Sequence, residues 1–159
     1  MFGISDRLLD AAILVIERAH RVENLGSDEL AGILAGADAP LVFDVRSVEE
    51  YEKSFIASAL RVDPEIGAGD FAARFGDLLG GRDLVFYCSI GQRSSDVLER
   101  VGSVCGKAGA KSWRNLRGGI FRWYNEGRAV VDASGLTDDI DGHDPIWGMM
   151  VEWRRYRGL

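Results

Sequence analysis

Leu84 to Gly106, L-V-F-Y-C-S-I-G-Q-R-S-S-D-V-L-E-R-V-G-S-V-C-G, reads as strand, loop and helix. Leu84, Val85, Phe86 and Tyr87 are apolar and β-prone, the pattern of a strand buried on both faces. Cys88 follows at the strand's carboxyl end, and Ser89 to Arg93 form a short loop around Gly91. Ser94 or Ser95 can cap a helix whose apolar positions Val97, Leu98, Val101, Val104 and Cys105 recur at helical spacing. Ligands of open α/β sheets bind outside the carboxyl ends of strands. A helix N-terminus at that edge offers free N–H groups and the positive end of a dipole. Such a setting favours a cysteine thiolate, and the thiolate is the nucleophile. A cysteine at a strand end can instead be a small core residue. The Gly, the Arg and the helix start that follow Cys88 favour the reactive reading.

The rest of the chain alternates in the same way. Ser5 to Val22 reads as a helix with Leu8, Leu9, Ala12, Ile13, Val15, Ile16 and Ala19 on a broad apolar face. That face fits a helix packed on the domain's flank better than a dimer or partner helix. His20 at its end reads as a solvated or capping residue. Ser27 to Leu34 is a second helix with Ser27 as cap. Leu41 to Val45 is a buried strand carrying Asp44, followed by Arg46. Ser47-Val48-Glu49-Glu50 is a capping box that starts a helix running to about Lys53. Ala59 to Val62 is a short strand containing Arg61. Asp63-Pro64 and Gly67-Ala68-Gly69 read as loop, and Phe71 to Leu79 as helix closed by Gly80-Gly81. Ala110 to Leu116 is the last strand, and Ile120 to Glu126 a short helix ended by Gly127. This alternation predicts an α/β fold with a mostly parallel sheet.

Asp132 to Asp144 is acidic and Gly-containing and reads as loop. Asp144-Pro145 then opens a helix, with Ile146, Met149, Met150 and Trp153 on one apolar face and Glu152, Arg154, Arg155 and Arg157 away from it. Those four apolar side chains are expected to be buried, on this domain in preference to a partner groove.

Composition limits the partners. Lys and Arg number 19 against 25 Asp and Glu, a net charge of −6. A nucleic-acid or anionic-membrane binder would show a basic face, so neither partner is expected. Two cysteines in 159 residues do not make a disulfide framework. The apolar run Ala11 to Ile16 is far too short to span a bilayer, and no signal-peptide cleavage site follows it. A cytoplasmic protein is therefore expected. No metal-ligand or dinucleotide signature is present, so no cofactor is implied.

Three segments in order resemble the single-domain rhodanese-like sulfurtransferases. D-V-R-S-V-E-E-Y, Asp44 to Tyr51, is similar to that family's D-V-R-x-x-x-E-[FY] segment. Y-C-S-I-G-Q-R-S, Tyr87 to Ser94, resembles its C-x-x-G-x-R-S active loop. L-R-G-G-I-F-R-W, Leu116 to Trp123, resembles its closing L-x-G-G-[ILM]-x-x-W, and the spacing between these segments is also similar. The resemblance implies a three-layer α/β domain over residues 27–132; an N-terminal helical extension over 1–26 and a C-terminal loop and helix over 133–159 lie outside it. One segment departs from the family. Ser54-Phe55-Ile56-Ala57-Ser58-Ala59 stands where it usually has G-H-I-P-G-A, so that pattern's histidine, proline and glycines are absent.

The resemblance implies a sulfurtransferase, of the thiosulfate sulfurtransferase type. Cys88 takes a sulfane sulfur from thiosulfate or a persulfide donor, becomes a persulfide, and passes the sulfur to a thiol, cyanide or protein acceptor. Ser89, Ile90, Gly91, Gln92, Arg93 and Ser94 form the substrate loop. Its N–H groups wrap the persulfide, Gly91 supplies a positive φ, and Arg93 forks onto an oxyanion of the donor. The plainer reading of Arg93 is a helix-start residue paired with Asp96. Asp44 and Arg46 brace the pocket by hydrogen bonds, and Arg61 lines its rim. Cys105 can resolve a Cys88 persulfide as a disulfide, but its place on the helix's apolar side fits an inert buried thiol better.

A cysteine phosphatase or arsenate reductase would need C-x5-R, and here the spacing is Cys88-x4-Arg93. The remaining rival is a binding module or persulfide carrier and sensor acting on a protein partner. The expected state is monomer or homodimer.

Overall fold

The computed structural model describes residues 3–154. Helix α1 (Ile4–Ala19) and the two-residue strand β1 (Asn24–Leu25) lead into α2 (Ser27–Leu34), β2 (Leu41–Asp44), α3 (Val48–Lys53) and β3 (Leu60–Arg61). Helix α4 (Ala68–Leu79), β4 (Asp83–Tyr87), α5 (Gln92–Lys107), β5 (Ser112–Leu116) and α6 (Gly119–Asn125) follow. A small antiparallel pair, β6 (Val130–Asp132) and β7 (Gly135–Thr137), and a 3-10 turn at Trp147–Met150 complete the described chain.

Five strands form one parallel sheet in the order β1-β5-β4-β2-β3. Strand alternation sorts their side chains into two cores. Leu84 and Phe86 of β4 face α4 and α5, where they meet Phe43, Phe71, Phe75, Val97, Val101 and Cys105. Phe43 stacks on Phe86 at 4.8 Å between ring centroids and meets Phe71 edge-on at 5.5 Å. Val85 and Tyr87 face the other way, into a core with Val42, Leu30, Phe121 and the Leu9, Ile13 and Ile16 stripe of α1. Helices therefore cover both faces, as a parallel sheet requires. The flank reading of α1 holds.

Several local expectations are corrected. Helix α4 begins at Ala68, so Gly67 is its N-cap and Ala68 and Gly69 belong to its first turn. Gly26, not Ser27, caps α2, and the Ser27 hydroxyl instead donates to Glu126 at 2.6 Å. β1 carries too few residues for a periodic signal, yet its pairing with β5 completes the sheet edge. The acidic segment after Val130 contains the β6–β7 hairpin, which Phe55 joins through a backbone bridge to Val131. Among the described residues the tail forms a single 3-10 turn, Trp147–Met150, instead of a helix. Met150 is buried, but Ile146, Met149 and Trp153 are 74%, 60% and 53% exposed. Asp144 still caps that turn, accepting from the Ile146 and Trp147 N–H groups at 2.8 Å. Four apolar side chains at helical spacing share a face only if the helix continues, and here it stops after one turn. Arg155 and Arg157 lie outside the described residues.

The departure at residues 54–59 has a structural counterpart. Phe55 stacks on Tyr51 at 4.3 Å. Ser58 sits at φ +72°, the left-handed region where a glycine costs nothing.

Candidate active site

Strand β4 ends at Tyr87, so Cys88 leaves the sheet at its carboxyl edge. The chain then turns tightly through Ser89 and Ile90 into α5. That helix starts at Gln92 with Gly91 as N-cap at φ +113°, three residues earlier than a Ser94 cap would place it. Ser94 and Ser95 thus fall inside its first turn, both fully buried. The Gly91 N–H points at the Cys88 sulfur from 3.2 Å. The Ser94 hydroxyl lies 3.4 Å from that sulfur and 2.6 Å from Asn115 Oδ1. With one proton to give, it can turn from the amide to the sulfur when the sulfur carries charge. Asn115 is held in turn by Asn24 of β1, at 2.8 Å.

Helix α6 supports the loop from beneath. Ile120 and Phe121 donate their N–H groups to the carbonyls of Cys88 and Ser89 at 2.9 and 3.0 Å. This contact demands Gly119, because a Cβ there would lie 2.5 Å from the Cys88 carbonyl oxygen.

The Asp44–Arg46 brace is a closed buried network. Arg46 forks onto Asp44 at 2.8 and 2.6 Å and donates to the Ser54 carbonyl at 2.6 Å. Tyr87 donates to Asp44 at 2.6 Å and accepts from the Ile56 N–H at 3.0 Å. Burial opposes the Arg46 charge, but the bond to Asp44 and its charge outweigh that and raise the guanidinium's pKa. Burial, Asp44's charge and the bond donated to it also raise the Tyr87 phenol well above its usual value. The network ties the loop of residues 54–59 to the floor under Cys88. Arg61 donates to the Arg46 carbonyl at 3.0 Å, beside that floor.

Arg93 forks onto Glu50 through Nη1 and Nη2 at 2.7 and 2.9 Å, and Nη2 also donates to Ser89 Oγ at 2.9 Å. Asp96 is not its partner. Burial alone would raise the Glu50 carboxyl, but the Arg93 bond and charge and the Ser47 bonds bring it down to about 2. From sequence Glu50 was legible only as the capping-box residue, a role it keeps with Ser47. Its second place, in D-V-R-S-V-E-E-Y, was the available signal for a site role.

The rhodanese-like domain family matches residues 27–126, most of the chain. The chain belongs to that family. A curated sulfurtransferase of Allochromatium vinosum is 28% identical over 114 residues, covering 72% of this chain and 99% of its own. The fold of this rhodanese-like protein is similar to solved structures. A rhodanese-related protein from Thermoplasma volcanium aligns with TM-score 0.55 and 22% identity, covering 69% of this chain and 97% of that one. A thiosulfate sulfurtransferase from Pseudomonas aeruginosa aligns with TM-score 0.59 and 18% identity, over 85% of this chain and 25% of that one.

Both segments outside the matched rhodanese-like residues reach the active loop. Ile90 is 4% exposed and shares the core of Leu9, Ile13 and Ile16, so α1 lies over the loop and Cys88 is fully buried. Ile13, Ile16, Asn24, Ile90 and Asn115 meet there and leave no space for a water-sized probe. From the C-terminal side, His143 Nδ1 lies 3.6 Å from Glu50 and the Trp147 ring 5.9 Å from the Arg93 guanidinium. Sequence reasoning missed both residues, because neither stands near the loop in the chain. Cys105 faces the opposite core, and burial pushes its thiol up to about 11. Among the described residues no helix is long and apolar enough to cross a membrane.

Proposed function

We propose that this chain is a sulfurtransferase that carries sulfur as a persulfide on Cys88. The observation that carries the reading is the Gly91 N–H aimed at the Cys88 sulfur, at the carboxyl end of the central strand. The Cys88 thiolate attacks the outer sulfur of thiosulfate or a persulfide. The donor's S–S bond breaks, and its electron pair leaves on sulfite or on a thiolate. The new Cys88–S–S⁻ lies among the loop N–H groups, the start of α5 and the Ser94 hydroxyl. A thiol, cyanide or a protein thiolate then attacks the outer sulfur and Cys88 leaves as thiolate. Asp44, Arg46 and Arg61 hold the loop's surroundings and take no part in bond making.

Intact mass after incubation with thiosulfate or a hydropersulfide tests this. One added sulfur, lost on addition of cyanide and absent in Cys88→Ser, is expected. An adduct that persists in Cys88→Ser would remove the mechanism.

A further inference from the structure

Arginine in a sulfur-transfer loop has an evident use, to hold the oxyanions of a sulfonate leaving group. Here that use is opposed by an ion pair already in place. Both terminal nitrogens of Arg93 are taken by one carboxylate, that of Glu50, at 2.7 and 2.9 Å. Nε is buried without a partner. The Trp147 ring lies against the guanidinium, 5.9 Å away. Glu50 is only 4% exposed. It also accepts from the Ser47 N–H and hydroxyl at 3.2 and 3.0 Å and from Ser89 Oγ at 3.1 Å. A carboxylate this well supplied with donors stays charged, so the pair presents no net positive charge to a ligand.

We propose that Glu50 determines donor specificity: by occupying Arg93 it turns the site away from sulfonate donors such as thiosulfate and toward hydropersulfides, R–S–SH. This rests on the sulfur-transfer reading above. A sulfonate could reach Arg93 only by displacing Glu50, leaving a buried carboxylate unpaired beside an incoming dianion, and both effects oppose binding. A hydropersulfide asks for no cationic clamp. The Cys88 thiolate attacks its outer sulfur, the R–S–S bond breaks with its electron pair going to R–S⁻, and Cys88–S–SH forms. Sulfur is transferred with no external oxidant or reductant.

The test uses the full chain with cyanide as acceptor, comparing thiosulfate with the hydropersulfide of 2-mercaptoethanol, whose R group is uncharged. Wild type should show the higher kcat/KM with the hydropersulfide. Glu50→Gln should raise the ratio of thiosulfate to hydropersulfide kcat/KM about tenfold, mainly through a lower KM for thiosulfate. Calorimetry in the Cys88→Ser background removes chemistry from the comparison. There thiosulfate should bind about tenfold more tightly with Glu50→Gln than with Glu50. A wild-type chain that uses thiosulfate as well as the hydropersulfide overturns the proposal, whether or not the Gln variant folds. So does an unchanged ratio in the variant, or equal thiosulfate affinity in the two Cys88→Ser backgrounds. Absence of any sulfur adduct from either donor overturns sulfur transfer itself. The calorimetric comparison separates that failure from a failure of the role assigned to Glu50.

Discussion

The guanidinium of Arg93 closes a two-point fork on the carboxylate of Glu50, a residue 43 positions earlier in the chain. Arg93 stands in the first turn of α5 and Glu50 in the first turn of α3. The fork therefore clips the loop after Cys88 to the helix that follows β2. Removing Arg93 leaves a buried charged carboxylate, and removing Glu50 leaves a half-buried guanidinium. Arg93→Ala should cost about 2–3 kcal/mol of stability. The Arg93→Ala/Glu50→Ala double-mutant cycle, read by urea unfolding, should give a coupling of about 1–3 kcal/mol. Additive losses would show that the two side chains do not support each other.

The same pair sets a pH dependence. The folded-state carboxyl of Glu50 is brought down to about 2 from an ordinary value of 4.5. A lowered carboxylate contributes stability above its unfolded value, and that contribution is lost as pH falls through the folded one. Wild type should thus exceed Glu50→Gln at pH 6 by on the order of 2 kcal/mol after allowance for solvent screening, the excess fading between about pH 4.5 and 2. Thermal unfolding of both proteins across that range measures it, and a difference constant with pH would refute the assignment.

Cys88 is fully buried beside Ile90, which packs in the core of α1, while Cys105 is buried in the core on the other face of the sheet. Iodoacetamide should modify Cys105 far more slowly than in the urea-unfolded chain. Ile13→Ala removes part of the roof over Ile90 at a cost of about 2–4 kcal/mol. Cys88 should then be alkylated several-fold faster while Cys105 stays protected, as peptide mass mapping would record. Equal acceleration at both cysteines would mean general loosening, not an opened roof.

Ser58 holds a left-handed backbone at φ +72°. Relief of that strain should outweigh the added freedom of an unfolded glycine, so Ser58→Gly should stabilise the chain by about 0.5–1 kcal/mol. A lowered urea midpoint would show that the Ser58 side chain makes a compensating contact.

The sequence by itself determined the elements whose causes are local. Continuous β-prone apolar runs placed β2 and β4, and a helical apolar period placed α5. The Ser47–Glu50 box started α3 where its caps required, and Cys88 fell at a strand end because four β-prone residues precede it and a glycine follows. Only the tertiary structure decided what those elements meet. Arg93 could fork onto a ligand, Asp96 or Glu50, and the choice depends on the β2–β4 pairing that brings the start of α3 beside the start of α5. β1 has two residues and no period of its own, so its place at the sheet edge comes from pairing with β5. The apolar stripe of α1 identified a buried face but not the surface beneath it, which includes Ile90 of the loop after Cys88. His143 and Trp147 reach Glu50 and Arg93 because the chain folds back across the loop, a long-range contact that leaves no trace in spacing or composition.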